Sequence, residues 1–445
     1  MPRALAAVLF TTVVVGAPTA SMAQRYCPPC RPAPRNYCPP SVQHPIQPSP
    51  DQPSADRDTP APAPSLDSTQ QPQQRPDAPS NMDQVTPQQA QPQQAQPTFN
   101  PQQSQPTTAA TSAQSLSPNS IGDFFGTGGT YFTILGSPYF APNAAAAGGN
   151  VGRQKFSENV SPIPRDRVFV NYSFFQNTPL TADGADVNRF TPGFEKTFQD
   201  GNMSLEFRVP FASTVDSTFS SIGEADTSEF EWGDLTMFLK ALLYNNDEIA
   251  IAGGLGFSFP THDAFVVQDP GDTPIIKAES AAIHALPYLA ALWTPNDQLF
   301  VQTYGQIDTD LNGGAVYVNE GGGAVNAGRL QDQTYLFLTA TAGYWIYQNP
   351  CGNIRGIAPV VEFHYSRSLN DADAVATAGG TGVSGGDDDL SLLNSVVGVN
   401  VFMHDSLQLQ AGYGFPLSGA DDQFDGELRI TLNWLFGGGN MYSTR

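Results

Sequence analysis

The stretch from Trp232 to Thr261, WGDLTMFLKALLYNNDEIAIAGGLGFSFPT, constrains this chain more than any other. Two long apolar runs flank the tight turn Asn245-Asn246-Asp247-Glu248, and Pro260 closes the second run. In the first arm Leu235, Met237, Leu239, Ala241 and Leu243 share one face, while Thr236, Lys240 and Tyr244 share the other. In the second, Ile249, Ile251, Gly253, Leu255, Phe257 and Phe259 alternate with Ala250, Ala252, Gly254, Gly256 and Ser258. A period of two is the strand signature, so this is a β-hairpin. Strands of soluble domains run to about 5–6 residues, whereas a tilted strand crossing a bilayer needs about 9–11. The arms have the second length. Because unpaired strand edges are not tolerated in lipid, a chain built from such hairpins must close into a barrel.

The same pattern continues along the chain. Strands are expected at 167–175, 194–199, 203–211, 232–244, 249–259, 281–293, 299–307, 334–347, 357–366, 392–403, 407–416 and 427–436. Their connections alternate long and short, beginning with 18 residues and then 3, 20 and 4. Outer-membrane barrels have long loops outside and short periplasmic turns, and an even strand number brings both termini to the periplasm. The fold class expected is all-β, a transmembrane antiparallel β-barrel of about twelve strands. Leu428, Ile430, Leu432, Trp434 and Phe436 oppose Glu427, Arg429, Thr431 and Asn433 in the last strand. Trp232, Trp293, Trp345 and Trp434 all fall near strand ends, as do Phe207, Phe259 and Phe415, which predicts aromatic girdles at the two membrane interfaces.

Gly233-Asp234-Leu235 followed by Lys240, together with the strand end Phe259-Pro260-Thr261, resembles the pattern of the MetA-pathway phenol-degradation family of outer-membrane barrels. Glu158-Asn159-Val160-Ser161-Pro162, continuing through Pro164-Arg165-Asp166-Arg167-Val168 to Tyr172, resembles the start of related outer-membrane proteins. The resemblance covers roughly residues 158–436. It implies a barrel that passes small solutes, hydrophobic or aromatic ones among the candidates, and brings no catalytic residues. One departure is that Phe436 is followed by Gly437 to Arg445.

The region ahead of the strands has a different composition. Residues 1–23 carry one basic residue, Arg3, a short apolar run and a Ser21-Met22-Ala23 cleavage site, which reads as a secretory signal peptide. Residues 24–120 form a Pro/Gln-rich linker; between 31 and 118 there are 20 prolines and 18 glutamines, with Tyr37 and Phe99 as the only aromatics. Such a segment cannot bury enough apolar surface to order itself, so it is expected to be disordered. Residues 121–166 are Gly-, Ala- and Pro-rich and fit a plug, a lead-in or an extra strand, ahead of a barrel over 167–445. Export permits disulfides among Cys27, Cys30, Cys38 and Cys351. The Cys27-Pro-Pro-Cys30 spacing also suits redox or metal chemistry, but structural pairing is the plainer expectation.

Glu206, Arg208, Lys240, Glu362, His364, Gln408, Gln410, Glu427 and Arg429 fall on the polar faces and are expected to line a narrow lumen, internally paired because both signs are present. The spacing of His364 and Ser366 resembles that of outer-membrane phospholipases, but the pair shares the polar face with Glu362, whereas a lipid-cleaving site should face lipid; the chain therefore reads as a non-enzyme. Asp308, Asp310 and Asn312 match the first half of a calcium loop, and the second half fails because Asn319 stands at its last position. Apart from that calcium, no cofactor is expected. With 42 acidic against 20 basic residues, nucleic acid is disfavoured as a partner. The partners expected are outer-membrane lipid, a small solute and, through residues 24–118, the cell wall.

The expected function is an outer-membrane channel admitting small solutes through a narrow polar lumen. The alternative is a structural envelope protein whose barrel anchors a periplasmic Pro/Gln-rich arm. A soluble β-sandwich is the remaining rival.

Overall fold

The structure, a computed structural model, describes residues 117–123, 130–141, 153–178, 184–214, 217–220, 229–349, 352–385, 389–404, 406–419 and 424–436. The expected signal peptide, most of the Pro/Gln-rich segment and all four cysteines, Cys27, Cys30, Cys38 and Cys351, lie outside the described residues.

Twelve strands form the barrel: β1 (Arg167–Thr178), β2 (Ala185–Phe198), β3 (Met203–Arg208), β4 (Leu235–Asn245), β5 (Ile249–Phe259), β6 (His284–Trp293), β7 (Leu299–Asp310), β8 (Tyr335–Tyr344), β9 (Ile354–Ser368), β10 (Ser391–Met403), β11 (Leu407–Ser418) and β12 (Gly426–Leu435). Each strand pairs antiparallel with its neighbours in the chain, and β12 closes on β1 with Leu435 opposite Arg167 and Gly426 opposite Gln176. The N-terminus of β1 and the C-terminus of β12 therefore lie together at the short-turn end.

Alternation decides which side chain faces which solvent. On β12, Leu428, Ile430, Leu432 and Trp434 are exposed outward, whereas Glu427, Arg429, Thr431 and Asn433 are buried inward. Leu239 and Leu243 on β4, Ile251 and Leu255 on β5, Leu338 on β8, Phe363 on β9 and Val397 on β10 are also exposed. Moving a side chain of this kind from water into hydrocarbon contributes roughly 1.5–3 kcal/mol, so the outer surface is stable only in lipid. On the inner face of β5, Ala250, Ala252, Gly254, Gly256 and Ser258 stay small for a reason. A Cβ on Gly256 would come within 2.4 Å of the Phe238 ring, and one on Gly254 within 2.5 Å of the Tyr288 hydroxyl.

Four details differ from the expectation. The second strand begins at Ala185, not at 194, because Pro192 and Gly193 continue the strand instead of turning it; Gly193 lies opposite Arg208 and its missing Cβ leaves room for the Phe169 ring. The first connection is consequently short. The third strand stops at Arg208, before Pro210, and Phe211–Thr214 forms a separate strand on Asn188–Phe190 of β2. Tyr244, expected on the polar face, is exposed beside Leu243, because a bulge at Ile251/Ala252 shifts the register. Trp345 is not a girdle residue: it is buried against Phe300 and Phe402, in space left by Gly356. Trp232, Trp293 and Trp434 are exposed as a girdle requires. Tyr172, Phe190, Phe211 and Trp232 pair in register across four neighbouring strands, so the first girdle is a continuous row.

At the long-loop end the connections fold into their own structure. Val325–Leu330, Gly314–Val318, Pro274–Ala278, Phe265–Gln268 and Thr218–Ser220 make a five-stranded sheet. A hairpin, Thr130–Ile134 with Ser137–Ala141, adds to the loop strands Gly382–Ser384 and Ala374–Ala376. Its two-residue turn places Leu135 and Gly136 at positive φ. Phe132, Phe219, Val267, Ile276, Val316 and Val383 share an apolar core there with Phe175 and Val187 from the barrel.

Candidate functional site: the lumen and the segment that fills it

The region before β1 passes through the barrel twice. Ser117 and Pro118 sit near the short-turn end, where Gln302 donates to the Ser117 hydroxyl at 2.9 Å and to the Pro118 carbonyl at 2.6 Å. Ile121 packs against Gly398 and Gly412, and Asp123 accepts from Asn394. The hairpin follows beyond the long-loop end. The chain then returns from Arg153, beside Asp308 and Asp332, down to Arg165, which donates to the Ser117 carbonyl and the Asn119 side chain, and enters β1. Residues 117–123 and 153–166 thus form a plug of two antiparallel passes. Ser117 to Ser120, expected within the linker, belong to the plug and are buried.

The nine residues expected to line the lumen, Glu206, Arg208, Lys240, Glu362, His364, Gln408, Gln410, Glu427 and Arg429, all point inward and are at most 1% exposed. Arg208, Lys240, Glu362, His364, Gln410 and Arg429 contact the plug, while Glu206, Gln408 and Glu427 pair with other wall residues. Glu362 accepts the backbone N–H groups of Ile121 and Gly122 at 2.8 and 2.9 Å, one on each oxygen. His364 lies 3.0 Å from both Glu362 and Asp123, and Asp123 pairs with Lys155 at 2.8 Å. Gln410 donates to the Asn119 carbonyl and to Asn400, and Gln408 donates to Asn400. Arg208 donates to the carbonyls of Lys155 and Phe156, and Lys240 to that of Ser161. Ser366 is buried on the same inner face as His364.

Burying charge is costly unless each ion is paired and hydrogen-bonded, and these ions are. Glu195 takes Arg167 at 2.8 Å, Lys240 at 2.9 Å and the Ser204 hydroxyl at 2.6 Å. Glu206 bridges Arg167 and Arg208. Glu158, from the plug, bridges Arg189 on β2 and Arg429 on β12 at 2.6 and 3.2 Å, and Glu427 also takes Arg429. The cations Arg429, Arg167, Arg189, Arg208 and Lys240 stand on β12, β1, β2, β3 and β4, five adjoining strands, and make one wall basic. From Phe238 of β4 through β6 and β7 the lumen wall is aromatic. Phe156 of the plug stacks on Tyr288 with ring centroids 3.6 Å apart, and lies edge-on to Phe238 and Tyr304. Toward the short-turn end Ile121, Ile163, Phe300, Trp345, Phe402 and Leu435 form an apolar floor.

Several of these residues lay outside the sequence-based expectation. Arg189 fell into a loop once the second strand was started late, and Glu195 went unremarked on a strand reduced to six residues. Lys155, Phe156 and Glu158 sit where no period is visible. Four charged residues, Arg153, Lys155, Glu158 and Arg165, within a short aperiodic stretch leading into a barrel with charges of both signs inside were the available signal.

Asp308, Asp310 and Asn312 are each engaged by protein donors. Asp308 binds His284 and Arg153, Asp310 accepts the N–H groups of Asn312 and Gly313, and the Asn312 side chain accepts from Ile283. Among the described residues no group of three or more His, Cys, Asp or Glu gathers as a metal site would. The motif Gly233-Asp234 and Pro260-Thr261 forms one clasp at the long-loop ends of β4 and β5. Asp234 accepts the Thr261 N–H at 3.0 Å and lies 2.6 Å from His262 Nδ1, while the Thr261 hydroxyl donates to the Gly233 carbonyl.

No protein-family model matches the chain, and no curated protein matches it in sequence. Solved structures with a related architecture include an outer-membrane channel of Pseudomonas putida F1, 14% identical, covering 62% of this chain and 97% of that one with a TM-score of 0.39. The β domain of the Bordetella autotransporter BrkA is 11% identical, covering 61% and 100% with a TM-score of 0.39. The Pseudomonas putida toluene transporter TodX is 8% identical, covering 60% and 88% with a TM-score of 0.32. Likeness at this level is shared by barrels with different duties and assigns none of them here.

Proposed function

We propose that the protein is an outer-membrane channel for small solutes, held closed in this structure by its own N-terminal segment, with the short turns and the N-terminal arm on the periplasmic side. One observation carries the reading: much of the boundary between plug and wall is made of ion pairs and hydrogen bonds, including Glu362 to Ile121 and Gly122 and Glu158 to Arg189 and Arg429. An ionic boundary can be rehydrated and remade, because water replaces each lost partner, whereas a lumen filled by interlocked apolar side chains has no such exchange. A barrel serving only as an anchor has no need of a removable filling.

The test is conductance of the purified full chain in planar bilayers. The wild-type protein is expected to stay closed for most of the record, and Glu362→Ala, which releases Ile121 and Gly122, to open more often. A Glu362→Ala barrel that is folded, as judged by heat-modifiable migration, and inserted yet silent would favour the anchor.

A further inference from the structure

The plug presents two chemical groups to the wall, and wall residues from separate strands hold each of them. The Phe156 ring lies on Tyr288 of β6, edge-on to Phe238 of β4 and Tyr304 of β7, with Lys240 Nζ 5.6 Å from its centroid. Two residues on, the Glu158 carboxylate sits between Arg189 and Arg429, two cations on strands flanking β1. Gly254 and Gly256 leave the space that Tyr288 and Phe238 need to form the ring site. Clamping a carboxylate between guanidinium groups and boxing a ring among aromatic faces are ordinary means of ligand recognition.

We propose that Phe156 and Glu158 are internal stand-ins for the solute: the ring site and the arginine clamp together form a lumen subsite for small aromatic carboxylates, which compete with the plug for it. This rests on the closed-channel reading above. Phe156 fills the site with an aromatic ring and Glu158, two residues on in the same turn, with an anion, so the site is matched by a molecule carrying both groups. Once Glu158 is displaced, Arg189 and Arg429 lose one carboxylate from between them, which an anion replaces better than the uncharged amide of the same acid. Aliphatic acids fill the clamp and leave the ring site empty.

The test empties the site without touching the wall. In the full chain, Phe156→Ala with Glu158→Ala removes both groups, and thermal unfolding in detergent is followed with phenylacetate, 3-phenylpropanoate, their amides, or acetate. The expected result is stabilisation of the double variant by an aromatic acid at about tenfold lower concentration than by its amide or by acetate, as befits a charge-assisted contact. Glu158→Ala alone, which keeps the ring in place, is expected to be stabilised by acetate and serves if the double variant does not fold. Equal effects of acid and amide, or none from any probe on either variant, overturn the subsite. Conductance is read separately: binding without current refutes the channel and keeps the subsite, while current without selective binding does the reverse.

Discussion

The two walls of the lumen face the same plug and hold it by different physics. Along β12, β1, β2, β3 and β4 cations predominate, and the plug is held there largely by ion pairs and charge-assisted hydrogen bonds, to which the amides of Asn171 and Asn433 and the Phe238 ring add. Along β6 and β7 the contacts are chiefly ring on ring, with amide groups such as Gln302 and Gln306 pinning the backbone. The ionic wall fixes where the plug sits, because each charge accepts only its opposite. The aromatic wall supplies adhesion with less regard to register. The plug is thus held both by charge pairing and by ring contacts.

The comparison breaks most severely at Glu195. Glu195→Ala strands Arg167 and Lys240 in the interior without the carboxylate they share, and a loss of roughly 3–5 kcal/mol is expected. It should appear as a fall in the temperature at which the folded band is lost in heat-modifiability gels. An unchanged transition would mean that water already reaches these cations. The aromatic side is expected to respond less. Gly256→Ala drives a Cβ into the Phe238 ring and should cost about 1–3 kcal/mol by overpacking in the same assay. Should it exceed the Glu195 effect, the aromatic wall would be the stricter of the two.

The smallest effect lies outside both walls, in the clasp between β4 and β5. Partial desolvation disfavours the charged form of the His262 imidazole, which keeps 40% of its side-chain surface exposed, but the hydrogen bond and charge of Asp234 outweigh it and raise the His262 pKa above its ordinary 6.5. A raised histidine pKa stabilises the fold fully below 6.5 and loses that contribution as pH rises through the shifted value. His262→Gln should therefore lower the unfolding temperature of the wild type at pH 6 and converge with it at alkaline pH. A difference that stays constant with pH would remove the charge from the account.

Much of this was legible because lipid outside and a polar lumen inside force strict alternation. Glu206 with Arg208, and Glu427 with Arg429, showed their direction from the sequence, and the expectation of an internally paired lumen followed from their mixed signs. The second strand runs through Pro192 and Gly193, a pair that ordinarily ends a strand, and the Phe169 ring opposite together with the Phe207 carbonyl explains the glycine. Trp345 turned inward because Gly356, on another strand, made room for it, and a period of two cannot carry that information. The plug was least legible. Its residues obey no period, since their conformation is dictated by the wall they fit. The expectation of channel or anchor could be stated from the sequence, but the filling that bears on the choice could not.

The path of the plug also sets an order of events. Topologically the chain is threaded through its own ring, with the Thr130–Ala141 hairpin acting as a stopper on one side. That hairpin is fastened by the short ladder Tyr131 to Ser384, Phe132 to Val383 and Thr133 to Gly382. Withdrawal of the first pass toward the short-turn end must therefore unzip this ladder before the stopper can enter the barrel. A pull on the N-terminal arm is resisted not only by the contacts of the first pass in the lumen but also by main-chain pairing at the far end of the molecule, which makes the hairpin a latch between forces on one side of the membrane and the lumen within it.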